Sequence, residues 1–218
     1  IRDHRHVTSL LHRITTMPNG VCCKPVLSFD ERGHQKNNMT YYVIGSDENG
    51  NDPECFFPTA ESFIGESGTF IAPEVLAEKK KGCKAGEKID GKEALGAMSF
   101  AEVTLEPGEA KEYIIVSGMT EEVSEITRTA EALKTKEQAD QAFEEAKEYW
   151  NRLVNISFET GNPKEDSYLK WICFQPVLRR IYGCSFLPYH DYGRGGRGWR
   201  DLWQDCLYLL ILDPKEVR

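Results

Sequence analysis

The residues of this chain that can do chemistry are concentrated in the run HDYGRGGRGWRDLWQDC at positions 190–206. Three arginines, Arg194, Arg197 and Arg200, stand among four glycines, and the run continues into WRDLWQD, with two indoles, two carboxylates and an amide. Guanidinium groups donate hydrogen bonds, carboxylates accept them, and indole rings offer flat apolar faces. Glycines let a loop backbone approach a ligand closely. The combination is suited to gripping a polyhydroxylated ligand such as a sugar ring.

The segment that starts at Trp199 predicts a helix, which ends at the Asp213-Pro214 stop. Arg200 and Asp201 then lie in the first turn, where the helix dipole and the free N–H groups favour a carboxylate. A simpler interpretation stays open at this point. Asp201 can act only as a helix cap, Arg200 can pair with a nearby carboxylate, and the glycines can form an ordinary loop. From these residues alone, that simpler interpretation is favoured.

Other sequence motifs that are rich in glycine fit this run poorly. A phosphate-binding loop needs Lys-Ser or Lys-Thr after its glycines, and a dinucleotide fingerprint needs a strand before them. Arg-Gly-Gly segments that bind nucleic acid are repeated and disordered, whereas this run is single and lies between two predicted helices. The run therefore indicates neither a nucleotide nor a nucleic acid as the ligand.

The composition is that of a globular protein, with 40% hydrophobic and 28% charged residues among 218. The net charge of −8 makes the chain a poor general binder of nucleic acid or anionic membranes. It contains no apolar run long enough to span a bilayer and no apolar signal segment, so we expect a cytoplasmic protein whose segment here makes no membrane contact. The seven cysteines have no repeated spacing. We expect reduced thiols, no metal site and no cofactor.

The first 118 residues have the pattern of a β-rich region. Residues 20–29 and 40–44 have the composition of strands and are bounded by turn residues. In residues 97–118, an alternating segment, the turn Glu106-Pro107-Gly108-Glu109 and the segment EYIIVSG predict a β-hairpin. This spacing of strands favours packed sheets over βαβ units.

The sequence becomes helical in character from Thr120 onward. Thr120 and Thr135 are candidate N-caps. Pro163 can open a later helix over 164–182, which contains Pro176 and ends at Gly183. An apolar stripe at helical spacing predicts a helix that packs on a core, and its members are Ala139, Ala142, Phe143, Ala146, Tyr149, Trp150 and Leu153.

The residues YHDYGRGGRGWRDLWQD resemble the Arg-Asp-x-x-Gln-Asp signature of glycoside hydrolase family 94. Three other stretches are similar to that family: KPVLSFDERGH at 24–34, FPTAESFIGESG at 57–68 and YLKWICFQ at 168–175. The resemblance covers essentially the whole chain. The family contains inverting phosphorylases of β-linked glucosides and the phosphorylase-like domain of cyclic β-1,2-glucan synthases. Within it, GRGWRDLWQD is most similar to the 1,2-β-oligoglucan phosphorylases and their cyclic-glucan relatives.

This resemblance implies a multidomain β + α architecture. Residues 1–119 are expected to form the C-terminal part of an N-terminal β-sandwich, 120–162 a helical linker, and 163–218 the start of an (α/α)6 barrel. Only 56 residues follow Asn162, too few for twelve helices of about 11 residues each. We therefore expect an incomplete barrel and a segment of a larger, hexosyltransferase-type enzyme, with the segment alone inactive.

The resemblance also implies roles for individual residues. Arg200 and Asp201 are expected to bind hydroxyls of the glucose ring that is cleaved, together with Arg194, for which Arg197 is a rival. Gln204 and Asp205 are expected to support these side chains. His190 and Asp191 have no assigned role. The catalytic general acid is an Asp expected beyond Arg218, so no catalytic residue is assigned within this chain.

The expected reaction is cleavage of β-1,2-gluco-oligosaccharides by inorganic phosphate, which acts as co-substrate and releases α-glucose 1-phosphate. The expected partners are the glucan, phosphate and the remainder of the polypeptide. The alternative is a carbohydrate-binding or scaffold segment without catalysis, such as the phosphorylase-like domain of a cyclic β-1,2-glucan synthase.

Overall fold

The computed structural model of the chain describes residues 8–26, 38–182 and 199–215. The described residues form two compact units, the first ending at Ala142 and the second beginning at Phe143. Among the described residues, the strands all belong to the first unit, and the regular elements of the second unit are helices. The chain is therefore a β-plus-α protein whose strands precede its long helices. The three-part division at 119 and 162 remains a prediction.

The first unit is built on an antiparallel sheet of five strands. In chain order the strands of the unit are β1 (His12–Met17), β2 (Gly20–Pro25), β3 (Thr40–Asp47), β4 (Cys55–Thr59), β5 (Lys88–Asp90), β6 (Ala94–Ser99) and β7 (Tyr113–Thr120). The order across the large sheet is β5-β1-β2-β3-β7, and β4 and β6 pair separately as a two-stranded sheet. Strands β1 and β2 form a hairpin closed at Pro18-Asn19, with Met17 opposite Gly20.

Alternation of side chains gives the large sheet two buried faces. On one face, Ile14 and Val21 pack with Phe56 of β4, so this core lies between the two sheets. On the other face, Cys22 and Ile44 pack with Ile126 of a helix. Neighbouring residues of β2 thus enter different cores, which fixes the register of the strand.

The predicted hairpin over 97–118 is wrong. Strand β6 pairs with β4, whereas β7 pairs with β3 along its whole length. The turn itself forms, because the Glu109 N–H donates to the Glu106 carbonyl at 3.0 Å and Gly108 takes a positive φ of 92°. Residues 100–112 then connect two sheets, since each strand finds its partner elsewhere in the chain.

Within the described residues, the helices that follow or interrupt the strands are short at first and longer towards the C-terminus. They are α1 (Ala60–Ile64), α2 (Glu74–Ala77), α3 (Val123–Ala132), α4 (Lys136–Leu153), α5 (Pro163–Tyr182) and α6 (Trp199–Leu212). Helix α1 has no apolar period and was not predicted; it forms because Thr59 and Ser62 make a reciprocal capping box. None of the helices in the described residues is long and apolar enough to cross a bilayer.

The predicted helix caps have different outcomes. Thr135 caps α4, since its Oγ1 accepts the N–H of Gln138 at 3.4 Å while the Gln138 side chain accepts the N–H of Thr135 at 3.0 Å. Thr120 does not occupy the N-cap of α3, which is Glu122. Pro163 opens α5, and α6 begins at Trp199, both as predicted.

The second unit has a small apolar core where α5 and α6 pack together. Its buried members are Val154, Cys173, Val177, Leu209 and Leu212. The predicted burial of the α4 stripe is wrong in this structure: no residue of α4 is buried, and Phe143 is 64% exposed. The stripe meets the core only at its C-terminal end, where Trp150 and Leu153 are partly buried.

We expect Phe56→Ala to destabilise the first unit by about 3–5 kcal/mol, because Phe56 is 2% exposed between the two sheets and its removal leaves a cavity. All four tryptophans of the sequence follow Phe143 and belong to the second unit, so tryptophan fluorescence does not report this change in the first unit. Hydrogen exchange of peptides from β1, β2 and β4, followed by mass spectrometry, measures it. Leu105→Ala, at a loop site that is 49% exposed, is the control. Equal protection in the two variants would contradict the core assignment.

Candidate functional site

The structure describes the candidate sugar-binding residues in part. Arg194 and Arg197, with His190 and Asp191, lie outside the described residues. Arg200 and Asp201 lie in the first turn of α6. In the sequence, Arg200 follows Arg197 by three residues and Arg194 by six.

The backbone of α6 determines which candidate residues share a side of the helix. Arg200 and Gln204 are four residues apart, as are Asp201 and Asp205, so the two pairs lie along neighbouring rows. The side chain of Gln204 is exposed to solvent. The first turn also leaves backbone N–H groups without partners inside the helix, and these groups favour an anion or a hydroxyl oxygen.

The C-terminal half of α6 anchors the helix in the second unit. Leu209 and Leu212 are 6% and 7% exposed and pack against Cys173 and Val177 of α5. Trp203, near the first turn, is 61% exposed. The C-terminal end of α6 is therefore anchored in the core. Its N-terminal end carries Arg200 and Asp201 in the first turn and exposes the indole of Trp203 to solvent.

A thiol and a phenol meet in the same core. The Sγ of Cys173 and the OH of Tyr208 are hydrogen-bonded between α5 and α6. Burial, followed by the hydrogen bond to Cys173, raises the pKa of Tyr208 to about 12. Sequence reasoning missed this pair, because it treated the cysteines only as reduced thiols and gave Tyr208 no role.

An open groove lies along α4 and α5. Its volume is about 700 Å³, and the residues that line it include the aromatic Phe143, Trp150, Trp171 and Phe174. The rings of Trp150 and Phe174 meet edge to face at 4.8 Å between centroids, and those of Trp171 and Phe174 stack at 5.5 Å. Polar groups reach the groove as well, and Lys170 Nζ donates to Asn151 Oδ1 at 3.0 Å. Sequence reasoning missed the groove because it assigned the α4 stripe to a closed core.

The described part of the chain contains neither a cluster of metal ligands nor a disulfide bond. Within residues 8–26, 38–182 and 199–215, no three His, Cys, Asp or Glu side chains are grouped to hold an ion. The six cysteines described there are free thiols, and burial raises the pKa of Cys22, Cys23 and Cys83. These thiols are therefore protonated at neutral pH and are weak nucleophiles.

Comparison of the chain with protein-family models finds no match, and comparison with curated proteins finds none either.

The Tyr208 hydroxyl gives a test of the α5–α6 core. A group whose pKa is raised in the folded state contributes stability that is present below its ordinary pKa of 10 and is lost as pH rises toward about 12. We expect Tyr208→Phe to cost about 1 kcal/mol at neutral pH, with the difference shrinking over that range. Tyrosinate absorbance should lose the titration step near pH 12 in this variant and keep it in Tyr168→Phe, whose site is 63% exposed. An unchanged titration curve in Tyr208→Phe would contradict the pair.

Proposed function

We propose that this chain is part of an inverting β-glucoside phosphorylase of the glycoside hydrolase family 94 type. Its substrates are β-1,2-linked gluco-oligosaccharides and inorganic phosphate, and its product is α-glucose 1-phosphate. The observation that carries the proposal is the run GRGGRGWRDLWQD, in which a helix begins at Trp199, directly after the glycine-rich part of the run. The motif's Arg-Asp pair thus occupies a first helical turn, where free N–H groups add to its capacity for binding hydroxyls.

The arrangement of elements supports the finer architecture that the resemblance implies. Two antiparallel sheets share an apolar core, as the sheets of a β-sandwich do. Helices α3 and α4 follow the last strand and correspond to the proposed linker. Helices α5 and α6 pack together after it and correspond to the first helices of an (α/α)6 barrel.

In the proposed site the chain binds the glucose ring that is transferred. Asp201 accepts hydrogen bonds from ring hydroxyls, and Arg200 donates to them. Arg194 donates a further hydrogen bond to the sugar, or Arg197 does so in its place. Gln204 and Asp205, one turn further along α6, hold these side chains in position. Hydrogen bonds to charged groups contribute about 1.5–3 kcal/mol each, so each direct contact affects binding by at least tenfold.

The reaction needs one proton donor. A phosphate oxygen attacks the anomeric carbon on the face opposite the glycosidic oxygen, the C–O bond breaks, and a general acid protonates the leaving oxygen. Phosphate is already an anion, so no base has to activate it. The proposed acid is an Asp outside residues 1–218, and the contribution of this chain is to hold and orient the sugar.

The deciding experiment uses the complete polypeptide that contains this chain. β-1,2-gluco-oligosaccharides are incubated with and without inorganic phosphate, and glucose 1-phosphate is measured. Product that depends on phosphate is the expected result. The absence of product, with cellobiose and laminaribiose also inert, would overturn the phosphorylase proposal in favour of a carbohydrate-binding or synthase-associated segment.

Asp201→Asn tests the proposed role of the first-turn carboxylate. We expect kcat/KM to fall on the order of 100-fold or more, because the variant loses a charged acceptor for a sugar hydroxyl. Glu165→Gln is the matched control, since Glu165 is an exposed carboxylate in the first turn of α5. Phosphorolysis rates are compared at equal fold content by circular dichroism. Similar activity of the two variants would remove Asp201 from the site.

Arg194 and Arg197 compete for one role, and a paired substitution separates them. We expect Arg194→Ala to lower kcat/KM by at least tenfold and Arg197→Ala by less, because the resemblance assigns the sugar contact to the arginine six residues before Arg200. The measurement is the oligosaccharide dependence of the phosphorolysis rate. The reverse order of effects would assign the contact to Arg197.

A further inference from the structure

A polar pair lies inside the apolar core that joins α5 and α6. The Sγ of Cys173 and the OH of Tyr208 are hydrogen-bonded to each other, and Cys173 is 0% exposed. The other buried members of this core are aliphatic among the described residues, and they are Val154, Val177, Leu209 and Leu212. The pair is therefore a directional contact within a core of apolar contacts.

A directional contact limits the rotation of a helix about its own axis. Apolar contacts such as those of Leu209 and Leu212 have no preferred direction, so they hold α6 against α5 and tolerate small rotations. A hydrogen bond weakens steeply when its angle departs from linear, and a buried polar group that loses its partner is destabilising. A buried polar pair between packed helices therefore selects one arrangement of them, as a buried Asn selects the register of a coiled coil.

The end of α6 that is proposed to bind sugar shares a side of the helix with this pair. Asp201 and Asp205 precede Tyr208 by seven and three residues, and positions at these spacings lie along one side of a helix. The backbone of Asp201 stands about 10 Å from that of Tyr208 along the helix axis. A rotation of α6 at Tyr208 therefore turns the first turn of the helix by the same angle.

We propose that Cys173 and Tyr208 are positioning residues for the reaction. Their hydrogen bond sets the rotation of α6 about its axis and thereby the direction from which Asp201 approaches the glucose ring. Neither residue touches the sugar in this role. The inference rests on the proposed function, because it concerns the same sugar-binding site.

A small rotation is enough to affect turnover. Side chains extend to about 5–6 Å from the axis of a helix, so a rotation of about 10° moves their ends by about 1 Å. A displacement of about 1 Å in a group that positions the substrate can lower the rate on the order of 100-fold. Loss of the hydrogen bond thus lowers activity while the leucines keep the helices packed and the chain folded.

The test measures kcat/KM for phosphorolysis of β-1,2-gluco-oligosaccharides by the complete polypeptide that contains this chain. We expect Tyr208→Phe to lower kcat/KM about tenfold or more, because the ring stays in the core and the hydroxyl is lost. Cys173→Ala should have a similar effect, whereas Cys173→Ser keeps a hydroxyl for the bond and should stay within about threefold of the natural protein. Tyr168→Phe is the matched control and should leave kcat/KM unchanged, since Tyr168 is 63% exposed on α5. Circular dichroism confirms that each variant is folded.

A double-mutant cycle separates positioning from a general loss of stability. If the pair acts through the first-turn carboxylate, Tyr208→Phe should lower kcat/KM less than about twofold in the Asp201→Asn background. Full multiplication of the two losses would overturn the positioning role, and so would a Cys173→Ser variant as impaired as Cys173→Ala.

The same assay distinguishes this inference from the proposed function. If the natural polypeptide forms glucose 1-phosphate and Tyr208→Phe forms it equally well, the positioning role is overturned and the proposed function stands. If the natural polypeptide forms no glucose 1-phosphate from these oligosaccharides, both are overturned.

Discussion

The packing of Leu209 and Leu212 against α5 is the interaction on which the candidate site depends. These leucines bind α6 to the core around Cys173 and Val177. Because a helix is rigid, fixing the C-terminal half of α6 also fixes the backbone positions of Arg200 and Asp201. The chemistry of the site therefore depends on an apolar contact about two turns away from it along α6. A cavity in this core would displace the backbone of Arg200 and Asp201, the residues proposed to bind sugar, without altering either residue.

The first unit shows a second constraint, which is that both faces of one sheet are buried. Strand β2 sends Val21 toward the second sheet and Cys22 toward α3. Asp47 is the last residue of β3. Burial raises its pKa, but hydrogen bonds from Asn51, Lys111 and Asn49 outweigh this effect and lower the pKa overall. The carboxylate therefore remains charged at neutral pH and ties the 47–51 turn to Lys111, which precedes β7.

Local patterns in the sequence predicted the elements better than they predicted the pairing of those elements. Pro163 and Trp199 start their helices as expected, because N-terminal helix signals act over a few residues. The 97–118 hairpin failed because strand pairing depends on long-range partners, and β4 and β3 lie far away in sequence. The α4 stripe failed for a related reason: periodicity identifies an apolar face but does not identify what covers it. For the site, the sequence proposes the residue types, and their roles stay a prediction because Arg194 and Arg197 lie outside the described residues.

Helix α6 is apolar on two opposite sides, and this property bears on the proposed function. Leu209 and Leu212 are buried on one side, whereas Trp203, Leu207 and Ile211 are 61–67% exposed on the other. A surface helix normally has one apolar stripe, and a helix that is apolar all round is typical of a protein interior. An (α/α)6 barrel packs its helices against neighbours on several sides, so the composition of α6 agrees with the barrel in the proposal. In the proposed barrel, the Arg-Asp pair would then stand in the first turn of an interior helix, a position that suits a binding site from which most water is excluded.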